Sequence, residues 1–210
     1  NRRKDGEVFP EWLTISTVFD AAGEVANYVG VFSDITAIKQ AQDKIQHLAH
    51  HHPLTDLPNR LLFVARCGHS VERARRSNKQ LAMLILDVDG FKHVNDSFGH
   101  SVGDEVLKSL AGRLEKQIRG IDTLAHFGGD EFALVMEQVG DLNDIIVMVD
   151  KLQACMNAPF VTGAKELFLT ISIGITVYPE DGHTVNELVR NADAALFRAK
   201  EMGRNTYQFY

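Results

Sequence analysis

Residues 126–135, HFGGDEFALV, constrain this chain more than any other stretch. Two consecutive glycines between apolar β-type runs favour a reversal, because glycine takes positive φ without a Cβ penalty and suits a tight hairpin. The bare backbone at Gly128 and Gly129 also lets a phosphate approach closely. Asp130 and Glu131 then sit at the tip. An acidic turn alone is an ordinary solvated corner. A second acidic element changes its meaning: residues 84–89, LILDVD, form an apolar β run ending in Asp87 and Asp89, two carboxylates at i, i+2 on one face.

The rest of the pattern says what those two elements belong to. A helix is expected from near Asn59 to about Ser77, then a strand over 81–88 and a helix over 103–119 with Val106, Leu110, Leu114 and Ile118 inward. A strand over 123–127 turns into one over 132–136. A helix over 142–157, an alternating strand over 167–177 and a helix over 186–202, stopped by Gly203 as a C′ glycine, complete the order. This is β-α-β-β-α-β: an α/β (α+β) fold with a ferredoxin-like, palm-type core, an antiparallel-rich sheet flanked by helices, plus an extra helix and edge strand. In that arrangement the first strand and the central hairpin are neighbours, which would bring Asp87 and Asp89 beside Asp130 and Glu131.

At 210 residues, 45% hydrophobic and 24% charged, the chain has room for one main domain and an appendage. The appendage is β structure over 8–18 and 25–32, joined by a turn at 20–24 and closed by Asp34-Ile35-Thr36. Two or three strands bury too little to stand alone. Residues 37–51 turn helical, with Ile38, Ala41, Ile45 and Leu48 making a seam for another helix. The seam reads either as a connector packed on its own domain or as a parallel dimer linker. The net charge of −6, with no basic run, excludes a non-specific nucleic-acid surface. Apolar runs are strand-length, well short of the ~20 residues that cross a bilayer. Cys67 and Cys155 read as buried thiols of a reducing, cytoplasmic compartment. Because the chain opens inside a strand-like pattern, it reads as part of a longer protein in which a membrane anchor can precede it.

Carboxylates gathered at neighbouring strand ends repel; two unit charges ~4 Å apart at an effective dielectric of ~20 cost roughly 4 kcal/mol. A hard cation removes that cost. Oxygen donors without His or Cys favour Mg²⁺ or Mn²⁺, and Mg²⁺ held by one or two carboxylates usually also holds substrate phosphates. The implied chemistry is metal-assisted phosphoryl or nucleotidyl transfer.

Gly128-Gly129-Asp130-Glu131-Phe132, with LTDLPNR at 54–60, LDVDGFKHVNDSFGHSVGDEVL at 86–107, SIGIT at 172–176 and ADAALFRAKEMGRN at 192–205, resembles the GGDEF family of diguanylate cyclases. Residues 53–210 are the part so identified. The resemblance implies condensation of two GTP into cyclic di-GMP with release of pyrophosphate, one GTP per domain, in an antiparallel homodimer. It implies metal ions on Asp87, the Val88 carbonyl and Asp130, and Glu131 as a second acid that assists the metal or activates the attacking 3′-hydroxyl. Gly128, Gly129 and the backbone of Gly90, Phe91 and Lys92 would line the triphosphate. Lys200 and Arg204, read as i, i+4 near a helix end, would reach the same phosphates, while Asn95 and Asp104 would read guanine. An Asp carboxylate can accept from guanine N1–H and the 2-amino group, which adenine does not supply together. Arg119 and Asp122, an Arg-x-x-Asp before the glycines, match the family's inhibitory site for product, with Lys151 a basic partner.

Residues 1–36 resemble the last strands of a PAS sensor domain, with 37–52 as a signalling linker helix. Two positions depart from the GGDEF pattern: His126 stands where the family carries Arg, and His52 where it carries Asp. These positions are expected to face each other, two histidines replacing an ion pair with a pH-sensitive contact. The departures, and a C-terminal YQFY that resembles the junction to an EAL phosphodiesterase domain, support an alternative reading. In it, a catalytically weak domain binds GTP or cyclic di-GMP and regulates a neighbour.

Overall fold

The computed structural model describes residues 1–163 and 165–210, and the chain divides into two compact units, Asn1–Ala49 and His50–Tyr210. In the first, β1 (Glu11–Phe19) and β2 (Val25–Asp34) form an antiparallel ribbon, in register from Glu11 opposite Asp34, with an irregularity at Val18/Phe19. The turn closes on Asp20, whose Oδ1 accepts from the amides of Ala22 and Glu24. Asp34 then starts α1 (Thr36–His50): its Oδ1 accepts from the Thr36 amide (2.9 Å) and hydroxyl (2.6 Å). The apolar stripe of that helix is exposed, Ile38 at 65% and Ile45 at 69%.

The second unit is the larger. Its elements are α2 (Arg60–Ser77), β3 (Gln80–Val88), α3 (Phe91–Phe98), α4 (His100–Glu115), β4 (Thr123–Gly128), β5 (Glu131–Val139), α5 (Leu142–Ala154), β6 (Phe160–Thr162), β7 (Lys165–Leu167), β8 (Ile171–Tyr178), α6 (Val185–Glu201) and β9 (Tyr207–Phe209). Five strands make one sheet in the order β4-β5-β3-β8-β9, antiparallel except for β8 and β9. The four inner-motif strands have the ferredoxin-like order that the pattern predicts.

The centre of the sheet is apolar on both sides because both sides are covered. Alternate side chains of β3 point to opposite faces. Ala82, Leu84, Leu86 and Val88 join one core with residues of α4 and α5, whereas Leu81, Met83 and Ile85 join another with residues of α2 and α6. The same double cover explains why β8 is buried throughout rather than alternating. Gly174 on β8 permits α6 to lie close: a Cβ there would stand 2.1 Å from the Ala192 carbonyl oxygen.

Two expectations are corrected. The helix read over 103–119 is α4, which begins at His100 and ends at Glu115, and a further helix that the pattern did not announce, α3, precedes it across Gly99 with φ of +86°. The Val106–Leu114 stripe exposed only the second of them to sequence reading; Ile118 packs on the core from beyond the helix end. The strand read over 167–177 is β7 and β8, since Leu167 pairs with Phe160 while Ile171 pairs with Val88. The C-terminal YQFY supplies β9, alongside Ile173–Ile175, and is part of the sheet. Asn59 caps α2 by accepting from the Leu62 amide, and Gly203 follows α6 with φ of +110°, both as expected. No helix of the described residues is long and apolar enough to cross a membrane.

Candidate active site at the Gly-Gly-Asp-Glu hairpin

The hairpin closes between β4 and β5 with Gly128 at φ of +125° and Gly129 at +59°, backbone states that a Cβ disfavours. It is braced from inside by His126, which is fully buried. The His126 backbone amide donates to the Pro58 carbonyl (2.9 Å). Its ring lies between His52, with centroids 3.7 Å apart, and Phe132, stacked at 4.5 Å and 10°. A carbonyl only accepts, so the ring's 3.0 Å contact with Gly129 is donated by Nε2–H; Nδ1 is then the acceptor for the Thr55 hydroxyl at 3.1 Å. Burial pushes the imidazole pKa down to about 4, the Gly129 bond opposing and the neighbouring His52 adding. His126 is therefore neutral near pH 7. The two histidines face each other as their family positions led us to expect.

Strand pairing assembles the acids. Asp87 lies opposite Glu131 across β3 and β5, and the Val88 amide donates to the Asp130 carbonyl (3.2 Å). Asp87 is buried at 7% exposure and meets Lys200 of α6, Nζ to Oδ2 2.6 Å. Burial raises the Asp87 pKa, against the Lys200 hydrogen bond and with the Asp130 charge. Burial likewise raises that of Glu131, reinforced by Asp193, Asp87 and Asp130. One ammonium is thus set against a group of carboxylates that burial and mutual repulsion both disfavour. The donor set, carboxylate oxygens with a backbone carbonyl nearby and no sulfur or imidazole, fits a hard divalent cation.

Asp89 departs from the expected cluster. Its carboxylate accepts from Thr170 Oγ1 (2.7 Å), Ser172 Oγ (2.7 Å) and the Asn205 amide (3.0 Å), so it ties β3 to β8 and to the segment before β9. Arg204 departs too: it lies beyond the end of α6 at φ of +64°, not one turn along the helix from Lys200.

Gly90, at φ of +73°, opens α3, so the Phe91 and Lys92 amides lie in a first turn where intrahelical acceptors are lacking, while the Phe91 ring is buried in the core. Asn95 packs under α4, its Oδ1 standing 2.1 Å from where a Cβ on Gly103 would be; exposed Asp104 is the next residue. Helix contact therefore puts the two guanine-reading candidates next to each other, across a break the sequence reading missed. At the other end of the hairpin, Asp122 accepts from the Arg119 amide (3.1 Å) and the Glu137 amide (3.1 Å). A cleft of about 930 Å³ adjoins that turn at Gly120 and Ile121, and its basic lining, Arg66, Arg73 and Arg76, comes from α2 rather than from Lys151.

Sequence reading also passed over Arg60, Phe127, Asp193 and Phe197. With Glu131 and Lys200 they line a cleft of about 330 Å³. The signal was present: Asp193, Phe197 and Lys200 are spaced i, i+4, i+7, one face of a helix.

Fold and hairpin together define a class, and comparison with known proteins agrees. Residues 49–206 match the family described as diguanylate cyclase, GGDEF domain. The chain belongs to that family. Its relatives include MucR of Pseudomonas aeruginosa, a bifunctional diguanylate cyclase/cyclic di-GMP phosphodiesterase, 41% identical over 175 residues, or 83% of this chain and 25% of MucR. Cyclic di-GMP phosphodiesterase NbdA of the same organism is 34% identical over 176 residues, 84% of this chain and 22% of NbdA. The solved GGDEF domain of its TpbB protein matches with a TM-score of 0.74 at 37% identity, covering 76% of this chain and 94% of that one. The chain spans about a quarter of the length of MucR and NbdA.

Proposed function

We propose that the chain condenses two GTP into cyclic di-GMP and pyrophosphate. The observation that carries this reading is the pairing of Asp87 with Glu131, with Asp130 bonded through its carbonyl to Val88. Asp87, the Val88 carbonyl and Asp130 would hold Mg²⁺ or Mn²⁺, which when bound neutralises triphosphate charge and polarises the α-phosphate. The chain's own groups do the rest. Gly128, Gly129 and the first amides of α3 approach the phosphates, and Lys200 adds a cation beside Asp87. Asn95 and Asp104 read guanine. Glu131 takes the proton of the attacking 3′-hydroxyl as that oxygen bonds the α-phosphorus and pyrophosphate leaves. A single group of acids per chain serves one triphosphate, so two copies face each other, and the exposed seam of α1 supports a homodimer.

In this reading residues 1–36 are the last strands of a PAS sensor, 37–52 the linker and 53–210 the catalytic domain. Arg119 and Asp122 bind product and damp the reaction. The test is incubation with GTP and Mg²⁺ followed by chromatography, with Asp130→Ala and Glu131→Ala as controls. Cyclic di-GMP from the unaltered chain alone supports the enzyme. The relation to NbdA, together with the His52 and His126 departures, favours one second reading, a GTP- or cyclic di-GMP-binding module that regulates a neighbouring EAL domain; GTP uptake without product would support it.

A further inference from the structure

Three successive residues after α6 take positive φ: Gly203 at +110°, Arg204 at +64° and Asn205 at +48°. Ending the helix requires only the first. The Gly203 amide donates to the Lys200 carbonyl (3.4 Å) and the Arg204 amide to the Ala199 carbonyl (3.2 Å), the two bonds of a Schellman motif built on one left-handed glycine. Asparagine tolerates the left-handed region; arginine has nothing of its own to favour it. Such backbone states persist where the surroundings over-determine them, and they gather at functional sites. Here Asp89 does the holding. Its Oδ2 accepts from the Asn205 amide (3.0 Å) and Thr170 Oγ1 (2.7 Å), and its Oδ1 from Ser172 Oγ (2.7 Å), so hydroxyls in and just before β8 aim the carboxylate that grips the turn. The next residue is fixed as well, the Thr206 carbonyl accepting from the Ile173 amide (3.0 Å).

Asp89 stands two residues after Asp87 and one before Gly90, between the acids assigned above to the metal and the first amides of α3. Lys200 is already paired with Asp87, Nζ to Oδ2 2.6 Å. Arg204 is exposed and ion-pairs with no carboxylate among the described residues, so its guanidinium can answer the charge of a triphosphate. Resting on the reading of a bound GTP above, we propose that Asp89 is a positioning residue: by holding the Asn205 amide it fixes the 203–205 turn so that Arg204 meets the triphosphate. The carboxylate itself touches no phosphate. It keeps the turn, the end of β3 and the start of α3 in one arrangement, and the guanidinium binds through its fork of N–H donors.

The test is a double-variant cycle read by binding. Affinity is measured for 3′-deoxy-GTP with Mg²⁺, which lacks the attacking hydroxyl, and by ligand-observed NMR for guanosine, which offers the base without phosphate. Asp89→Ala and Arg204→Ala are each expected to weaken the triphosphate about tenfold and to bind guanosine within about twofold of the unaltered chain. Because both act through one contact, the double variant should bind the triphosphate within about twofold of Arg204→Ala. Losses that multiply toward about a hundredfold, or unchanged triphosphate binding in Asp89→Ala, would overturn the assignment. So would guanosine weakened as much as the triphosphate, the mark of a general disturbance of α3. Should Asp89→Ala not fold, Asp89→Asn is taken through the same cycle. It sets an NH₂ group among three donors and is expected to weaken the triphosphate at least about threefold; full affinity there overturns the proposal equally. An unaltered chain that binds 3′-deoxy-GTP yet makes no product from GTP removes the cyclase reading alone, since the cycle still decides the role of Asp89. An unaltered chain with no affinity for the triphosphate removes both.

Discussion

The imidazole rings of His52 and His126 lie with their centroids 3.7 Å apart, and His126 donates from Nε2 to the carbonyl of Gly129 in the acidic hairpin. A contact between the segment before α2 and β4 therefore bears on the shape of the turn that carries Asp130 and Glu131. Its chemistry leads to the first two predictions.

Because the folded-state pKa of His126 is lowered to about 4, the folded chain binds fewer protons than the unfolded one between that value and the ordinary histidine value. Stability is complete above the unfolded pKa of ~6.5 and falls as pH drops toward 4, by roughly 3 kcal/mol in all. Burial lowers the His52 pKa as well, which has the same sign. Urea unfolding at pH 7.5, 6 and 5 should show this loss, and His126→Gln should flatten it.

If the two rings replace an ion pair, His126→Arg and His52→Asp should each impair stability or turnover, and together restore them. The coupling expected for residues in contact is about 1 kcal/mol or more. Simple additivity in the double variant would remove the pairing as a functional unit.

Two glycines should separate stability from recognition. Gly174→Ala places a methyl 2.1 Å from the Ala192 backbone, which cannot yield without moving α6, and should cost at least about 2 kcal/mol in thermal unfolding. Gly103→Ala meets Asn95 Oδ1 at 2.1 Å, the end of a side chain that can swing away, and touches the edge of the Phe91 ring at 3.0 Å, which must give by a few tenths of an ångström. It should lower the melting temperature much less than Gly174→Ala does while weakening GTP binding about tenfold, and Asp104→Ala should reduce the preference for GTP over ATP.

The Arg-x-x-Asp turn calls for care in choosing the variant. Asp122 accepts two backbone amides, so Asp122→Ala should lower stability by about 1 to 2 kcal/mol whatever its effect on product binding. Arg119 hydrogen-bonds into that network through its amide, and its side chain adds only a favourable charge beside Asp122. Arg119→Ala should fold normally and shift the inhibition curve for cyclic di-GMP to at least tenfold higher concentration.

Much of the site was legible because strand register turns sequence position into place. With residues 81–88 and 132–136 as neighbouring strands, Asp87 has to stand near Glu131, and the structure puts them opposite each other. What escaped reading depended on contacts that periodicity does not encode. Asp89 shares a face pattern with Asp87 yet is engaged by Thr170, Ser172 and Asn205, which come from the far side of the chain. The spacing of Lys200 and Arg204 suggested one helix turn, but Gly203 between them ends the helix. Short α3 has a single turn's worth of inward residues, Phe91 and Val94, too few to announce itself beside the longer stripe of α4. Arg60 and Asp193 are far apart in sequence and meet only through the packing of α2 and α6 around the hairpin.

Tyr207, Gln208 and Phe209 pair with Ile173, Gly174 and Ile175, whereas the match to the GGDEF family stops at residue 206. Cutting the protein at that conventional boundary would strip the cover from a strand buried throughout, leaving its amides and carbonyls open to the next molecule's strand. Anyone preparing the domain for study should keep those last residues, because self-association through a bared β8 would otherwise imitate the dimer that catalysis is proposed to need.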